Sequence, residues 1–136
     1  MPITEVKTMI GETPYVVTMD DGIHQWSGDE PIEQGGADTG PSPTQLLLSS
    51  LGACTAITLK MYANRKQWPL EEIEVWVSLN PSGKAADGAT EITRRIGFKG
   101  SLDPSQRERL LQIANACPIH KLLTGNIRVA TTVQSD

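Results

Sequence analysis

Two cysteines are the residues best equipped for chemistry in this chain of 136 residues. Cys54 lies deep in an apolar, helix-like run, Leu46-Leu47-Leu48-Ser49-Ser50-Leu51-Gly52-Ala53-Cys54-Thr55-Ala56-Ile57. Cys117 stands directly before a proline, in Ala116-Cys117-Pro118-Ile119-His120. A thiolate that attacks a peroxide becomes a sulfenic acid, and a nearby second thiol condenses with it to a disulfide. That chemistry requires one activated thiol, one resolving thiol and a largely apolar pocket. Taken singly, each cysteine also reads as a small core hydrophobe. Cys117 has the more activating local setting, because free backbone N–H groups and the helix dipole at a new helix start favour a thiolate. His120, one turn on, can add positive charge, although a histidine in a lone C-x-x-H is more often an ordinary surface or core residue. Cys54, Cys117, His120 and His24 are scattered without zinc-ligand spacing, so no metal site is expected.

The elements that position these thiols follow from periodicity and turn signals. Short strands are expected at 5–10, 15–19 and 23–26, the last two joined through the hairpin signal Asp20-Asp21-Gly22. Residues 27–43 form a long loop rich in glycine, proline and acid, expected to line a site or cross to a partner. Ser42-Pro43-Thr44-Gln45 is a capping box that opens a helix running to about Gln67, before Pro69. Leu47, Leu51, Cys54, Thr58 and Met61 make one stripe, and Leu46, Leu48 and Ile57 make other faces apolar, the pattern of a buried helix. Gly52 inside it suggests close approach by another backbone. Two alternating strands follow at 73–79 and 92–98, where Glu71, Glu72 and Glu74 can face Arg95 and Lys99. Arg94 shares the parity of the apolar Ile92 and Ile96. Asp103-Pro104-Ser105-Gln106 starts a second helix, Pro118–Leu123 adds a turn, and Ile127–Val133 reads as a last strand. Runs of strands rather than strict alternation with helices argue for an α+β fold with largely antiparallel pairing, as one domain over 1–136.

Composition bounds the partners. Net charge is −4, with 38% hydrophobic and only 4% aromatic residues. No basic stripe invites nucleic acid or an anionic membrane. The longest apolar run, broken by serines and threonines, is expected to fall short of a membrane span. No charged-then-apolar leader pattern opens the chain, so a cytoplasmic, soluble protein is expected. Two cysteines in such a compartment suit redox chemistry, metal binding or packing better than a structural staple.

The segment from Gly40 to Cys54 resembles the central-helix motif of the OsmC/Ohr family, and Ala116-Cys117-Pro118-Ile119-His120-Lys121 resembles that family's second-cysteine motif. The resemblance covers nearly the whole chain and is nearest to the OsmC-like branch. It implies an OsmC/Ohr-like α+β fold, a tightly intertwined homodimer with the central helices buried between protomers, and a thiol peroxidase acting on small organic hydroperoxides in stress defence. It implies no metal or haem, and a dithiol, lipoyl or thioredoxin-like reductant. Cys54 takes the place of the peroxide-attacking cysteine and Cys117 that of the resolving one. The family's activating arginine–glutamate pair is replaced: Thr44 stands at the glutamate position beside Gln45, and no arginine precedes Arg65. Arg94, with its strand parity, and His120 are the remaining activator or pocket residues. The alternatives are an OsmC-like protein that binds an apolar or electrophilic small molecule with little turnover, and a purely structural partner-binding module.

Overall fold

The computed structural model describes residues 4–135. Its elements are β1 (Lys7–Ile10), β2 (Val17–Asp20), β3 (Gln25–Gly28), a short 3-10 turn (Ile32–Gln34), α1 (Pro43–Lys66), β4 (Glu72–Leu79), β5 (Ile92–Lys99), α2 (Pro104–Ile113), a second 3-10 turn (Ala114–Ala116) and α3 (Pro118–Leu123). The fold is α+β with antiparallel sheets, and the chain divides into two compact units, Met1–Ser49 and Ser50–Asp136.

In the first unit β1, β2 and β3 form an antiparallel sheet in sequence order, with Met19 opposite Trp26. The Asp20-Asp21-Gly22 turn closes as its chemistry dictates. Asp21 Oδ1 accepts the backbone N–H groups of Ile23 and His24, and Gly22 takes a φ of 95°, a conformation only glycine adopts freely. Each strand begins two residues later than the sequence pattern suggests, so β1 and β2 are shorter than expected, while β3 keeps its length and ends two residues later.

The long loop after β3 is held by one carboxylate. Asp29 is 1% exposed and accepts hydrogen bonds from Thr39 Oγ1 at 2.7 Å and from the backbone N–H groups of Glu30, Ala37 and Thr39 at 2.7, 3.3 and 3.0 Å. The backbone closes so tightly that a Cβ on Gly36 would lie 2.1 Å from the Glu30 carbonyl oxygen. The Thr39 hydroxyl, the Thr39 N–H and the remaining donors outweigh burial and hold the Asp29 carboxyl down at about 2.

In the second unit the buried stripe of α1 is Leu51, Thr55, Leu59 and Ala63, a strict four-residue step. Leu59 and Ala63 join Leu70, Leu102, Leu110 and Ala114 in the core, over Ile73, Ile96 and Phe98 of the β4–β5 pair. α1 ends where Gln67 turns left-handed, with a φ of 58°, two residues before Pro69. α2 opens on a complete capping box between Asp103 and Gln106. Lys99 bridges Glu72 at 2.7 Å and Glu74 at 3.5 Å, while Arg95 stacks on Trp76 instead of meeting a glutamate.

Five expectations are corrected. The buried stripe passes through Thr55 rather than through Cys54 and Thr58, and Met61 is 66% exposed. α1 is not buried all round: Ile57 is also exposed, because this chain packs against one side of the helix only. Gly52 faces no backbone, and a Cβ there would meet only Val77 Cγ2 at an ordinary 3.6 Å. Residues 127–133 form no strand, and Val129 and Val133 are 87% and 94% exposed, because no ladder partner lies beside them among the described residues. By length and composition alone, α1 does reach what a membrane-crossing helix needs, its serines and threonines notwithstanding.

The Asp29 hub predicts a pH dependence. Its folded-state pKa lies below the ordinary 3.8, so its contribution to loop stability is fully present above 3.8 and is lost as pH falls through about 2. Following the Thr39 amide by NMR should show a titration midpoint near 2, absent in Asp29→Asn, whereas a midpoint at or above 3.8 would contradict the assignment.

Candidate functional site

The two cysteines meet. Cys54 stands in mid-α1, half-buried, one position from the core stripe. Cys117 caps the N-terminus of α3 and is completely buried. Pro118 explains the sharp change of direction there, since a proline cannot continue the preceding turn but suits the first position of a new helix. The two thiols are hydrogen-bonded to each other, and both remain free rather than bridged.

Their surroundings differ, and so does their acidity. Burial pushes the Cys54 thiol above its ordinary 9.0, and the adjoining Cys117 pushes it further, against weaker opposition from the Ile119 N–H and Thr58. Burial acts on Cys117 in the same direction, but the hydrogen bonds from Cys54, from the backbone N–H groups of His120 and Ile119, and from Thr55 together bring it below 9.0. Cys117 is therefore the more acidic of the two sulfurs, and the Cys54 S–H is placed to stabilise its thiolate when it forms.

Arg94 sits on β5 opposite Val77, and its guanidinium turns under α1. It donates to Thr55 Oγ1 at 3.0 Å, to Asn115 Oδ1 at 3.0 Å and to His120 Nδ1 at 3.3 Å. It does not pair with Glu74, which belongs to Lys99. Thr55 links it to the thiols: its hydroxyl oxygen accepts from Arg94, and its single proton is shared between the Leu51 carbonyl at 2.7 Å and the Cys117 sulfur. A guanidinium donating to Nδ1 requires that nitrogen to be unprotonated, which leaves the ring proton on Nε2. The positive charge near the thiols thus comes from Arg94, and His120 contributes its backbone N–H.

Thr44 and Gln45 belong to the first unit, where both are exposed. Gln45 completes the helix cap, accepting the Ser42 N–H at 2.9 Å while Ser42 Oγ accepts the Gln45 N–H. His24 is tied to Asp21 in the hairpin. Among the described residues no three metal-ligating side chains converge. Sequence reasoning missed Thr55 and Asn115. The signal for Thr55 was its place in the Leu51, Thr55, Leu59, Ala63 spacing, where a polar residue on a buried stripe calls for a partner. Asn115, two residues before Cys117, carried no comparable signal.

The family model for OsmC-like proteins matches residues 35–132, which include both cysteines and Arg94. The chain belongs to the OsmC-like protein family. Solved structures agree on the fold. An OsmC-like protein from Mycoplasma pneumoniae shares 20% identity with a TM-score of 0.75, over 91% of this chain and 89% of that one. An organic hydroperoxide resistance protein OsmC from Legionella pneumophila shares 23% identity with a TM-score of 0.67, over 93% and 92%. The organic hydroperoxide resistance protein OhrB of Bacillus subtilis shares 28% identity with a TM-score of 0.59, over 90% of each chain. No curated protein matches.

The site predicts that alkylation by iodoacetamide follows one thiol first. Peptide mapping across a pH series should place the more acidic ionisation, below 9.0, at Cys117. Cys54→Ala should raise it by removing the S–H donor, and Cys117→Ala should bring the Cys54 thiol down toward 9.0. A lower ionisation midpoint at Cys54 than at Cys117 in the wild type, read from the pH dependence at each site rather than from the order of modification, would contradict this ordering.

Proposed function

We propose that the protein is a thiol-dependent peroxidase that reduces organic hydroperoxides in peroxide-stress defence, working as a cytoplasmic homodimer. The observation that carries this reading is the hydrogen-bonded Cys54–Cys117 pair, with Cys117 the more acidic sulfur, in a chain of the OsmC-like family. The Bacillus subtilis and Legionella pneumophila relatives, described as organic hydroperoxide resistance proteins, support the substrate class.

The two sulfurs divide the work. Cys54 is the accessible thiol and Cys117 the buried one, so Cys54 meets the peroxide. Its proton passes to the Cys117 thiolate, which serves as the adjacent base. The Cys54 thiolate attacks the distal peroxide oxygen, the O–O bond breaks, and the leaving alkoxide takes a proton from Cys117 to depart as the alcohol. Cys54 is now a sulfenic acid. The Cys117 thiolate attacks its sulfur, the S–O bond breaks, hydroxide leaves and takes a proton from solvent to become water, and a disulfide remains. Arg94, through Thr55, favours negative charge on Cys117 in both steps, replacing the arginine that the family places earlier in the chain. Electrons return from an external dithiol, a lipoyl group or a thioredoxin-like protein, and the chemistry calls for no metal or haem. A second copy of the chain would cover the exposed Ile57 and Met61 of α1 and give the 127–133 segment a ladder partner.

One observation favours a second reading, a small-molecule-binding protein with little turnover. The Cys54 thiol is pushed up rather than down, and no arginine lies among residues 1–64 to counter it.

Thiol titration with intact-mass analysis after one equivalent of cumene hydroperoxide separates the two. The peroxidase reading expects both thiols to disappear with the loss of two hydrogen atoms. Cys54→Ser should abolish the reaction, and Arg94→Gln should slow it roughly tenfold or more, the worth of a charge-assisted hydrogen bond. Unchanged thiols would establish the binding reading, and oxidation only to sulfinic acid at Cys54 would refute resolution by Cys117.

A further inference from the structure

A cavity of about 540 Å³, in the range of small-molecule sites, opens at Arg94 and His120, one hydrogen bond removed from the thiol pair, which does not itself line it. Leu51, Ile92 and Leu123 give it an apolar floor, and Arg94 and His120 stand on one side. The 85–91 segment supplies Asp87 and Glu91. Among the described residues Arg94 has no carboxylate partner, and neither Asp87 nor Glu91 has a cation. Asp87 Oδ1 accepts only the Ala89 N–H of its own turn. A half-buried guanidinium without a counter-ion is costly, so a bound anion would be favourable there. A ligand that is only an anion would also meet two acids, and one that is only a cation would meet Arg94. A zwitterion satisfies both.

We propose that this cavity docks a low-molecular-mass reductant carrying a thiol, a carboxylate and an ammonium group, that is, an amino-acid or short-peptide thiol. The carboxylate pairs with Arg94 and the ammonium with Asp87 and Glu91. The proposal goes beyond the dithiol donors named above and rests on the same reading only for the Cys54–Cys117 disulfide. Two residues of the cavity wall, His120 and Arg94, connect it to that pair. His120 presents its backbone N–H to the Cys117 sulfur, and Arg94 holds the Thr55 hydroxyl that touches it. Leu51 lies one helical turn before Cys54, on a neighbouring line of the same face.

The electrons balance in two exchanges. The ligand thiolate attacks the Cys54 sulfur, which is the more accessible one. The S–S bond breaks toward Cys117, the better leaving group, and a mixed disulfide forms on Cys54. A second ligand thiolate attacks the ligand sulfur of that mixed disulfide and releases Cys54. Two thiols become one free disulfide, and their two protons end on Cys54 and Cys117.

The test uses the full-length protein with its disulfide formed by diamide, so that it does not depend on the peroxide step. Cysteine, cysteine ethyl ester and N-acetylcysteine are each offered, and every rate is divided by that thiol's rate on an unstructured peptide disulfide. Cysteine should be at least about tenfold faster than its ester, a charge-assisted contact's worth, and faster than its acetylated form. Arg94→Gln should abolish the advantage over the ester while leaving that over N-acetylcysteine. Asp87→Asn combined with Glu91→Gln, both in an exposed segment, should do the reverse. Equal normalised rates for the three thiols on the wild type would overturn the proposal while leaving the peroxidase reading intact. Failure of diamide to bridge the cysteines would overturn both.

Discussion

Two thiols buried against each other can hold one negative charge between them but not two, and the second unit is arranged around that constraint. A second ionisation would set two negative charges on adjoining sulfurs, so the S–H of one is placed to stabilise the thiolate of the other. α1 must therefore bring Cys54 to the edge of its packed stripe, close to the core yet half-open. α3 must begin at Cys117, so that the Ile119 and His120 N–H groups point at the sulfur. The four-residue step of Leu51, Thr55, Leu59 and Ala63 fixes the first requirement, and Pro118 fixes the second.

Arg94 supplies the compensating charge at one remove. It reaches Cys117 through Thr55 rather than directly, and its other contacts are the neutral Asn115 and His120. A direct ion pair would hold the thiolate more firmly but would also make it a poorer base toward Cys54. A relayed charge leaves Cys117 acidic enough to ionise and basic enough to accept a proton. The same guanidinium keeps an open side toward the cavity, so thiol activation and ligand recognition rest on one side chain whose position is set by its register opposite Val77.

Much of this was legible in the residues. The helix starts at Pro43, Pro104 and Pro118 follow from cap-and-proline signals that act within four residues, and local rules read them well. The parity of Arg94 within Ile92–Phe98 placed it on the inner face. Other features were not legible, for physical reasons. The rotation of α1 by about one position, which exposes Met61 and buries Thr55, depends on what packs against it, and a helix apolar on several faces does not declare which face wins. The alternation in 127–133 predicts a strand only if a partner edge exists, and within one chain it has none. Asn115 was invisible because its role comes entirely from the chain reversal at Ala114–Cys117. That the His120 Nδ1 would face the Arg94 guanidinium was likewise invisible, because the two residues are 26 apart and meet only in the fold.

That the two cysteines act as one redox unit is tested most directly by equilibrating the protein in glutathione buffers of graded potential and reading each state by intact mass. A coupled pair passes between dithiol and internal disulfide in a single two-electron transition, with a tenfold change in the equilibrium for about every 30 mV and no lasting glutathione adduct. Separate glutathione adducts on Cys54 and Cys117, with no internal disulfide at any potential, would contradict the account.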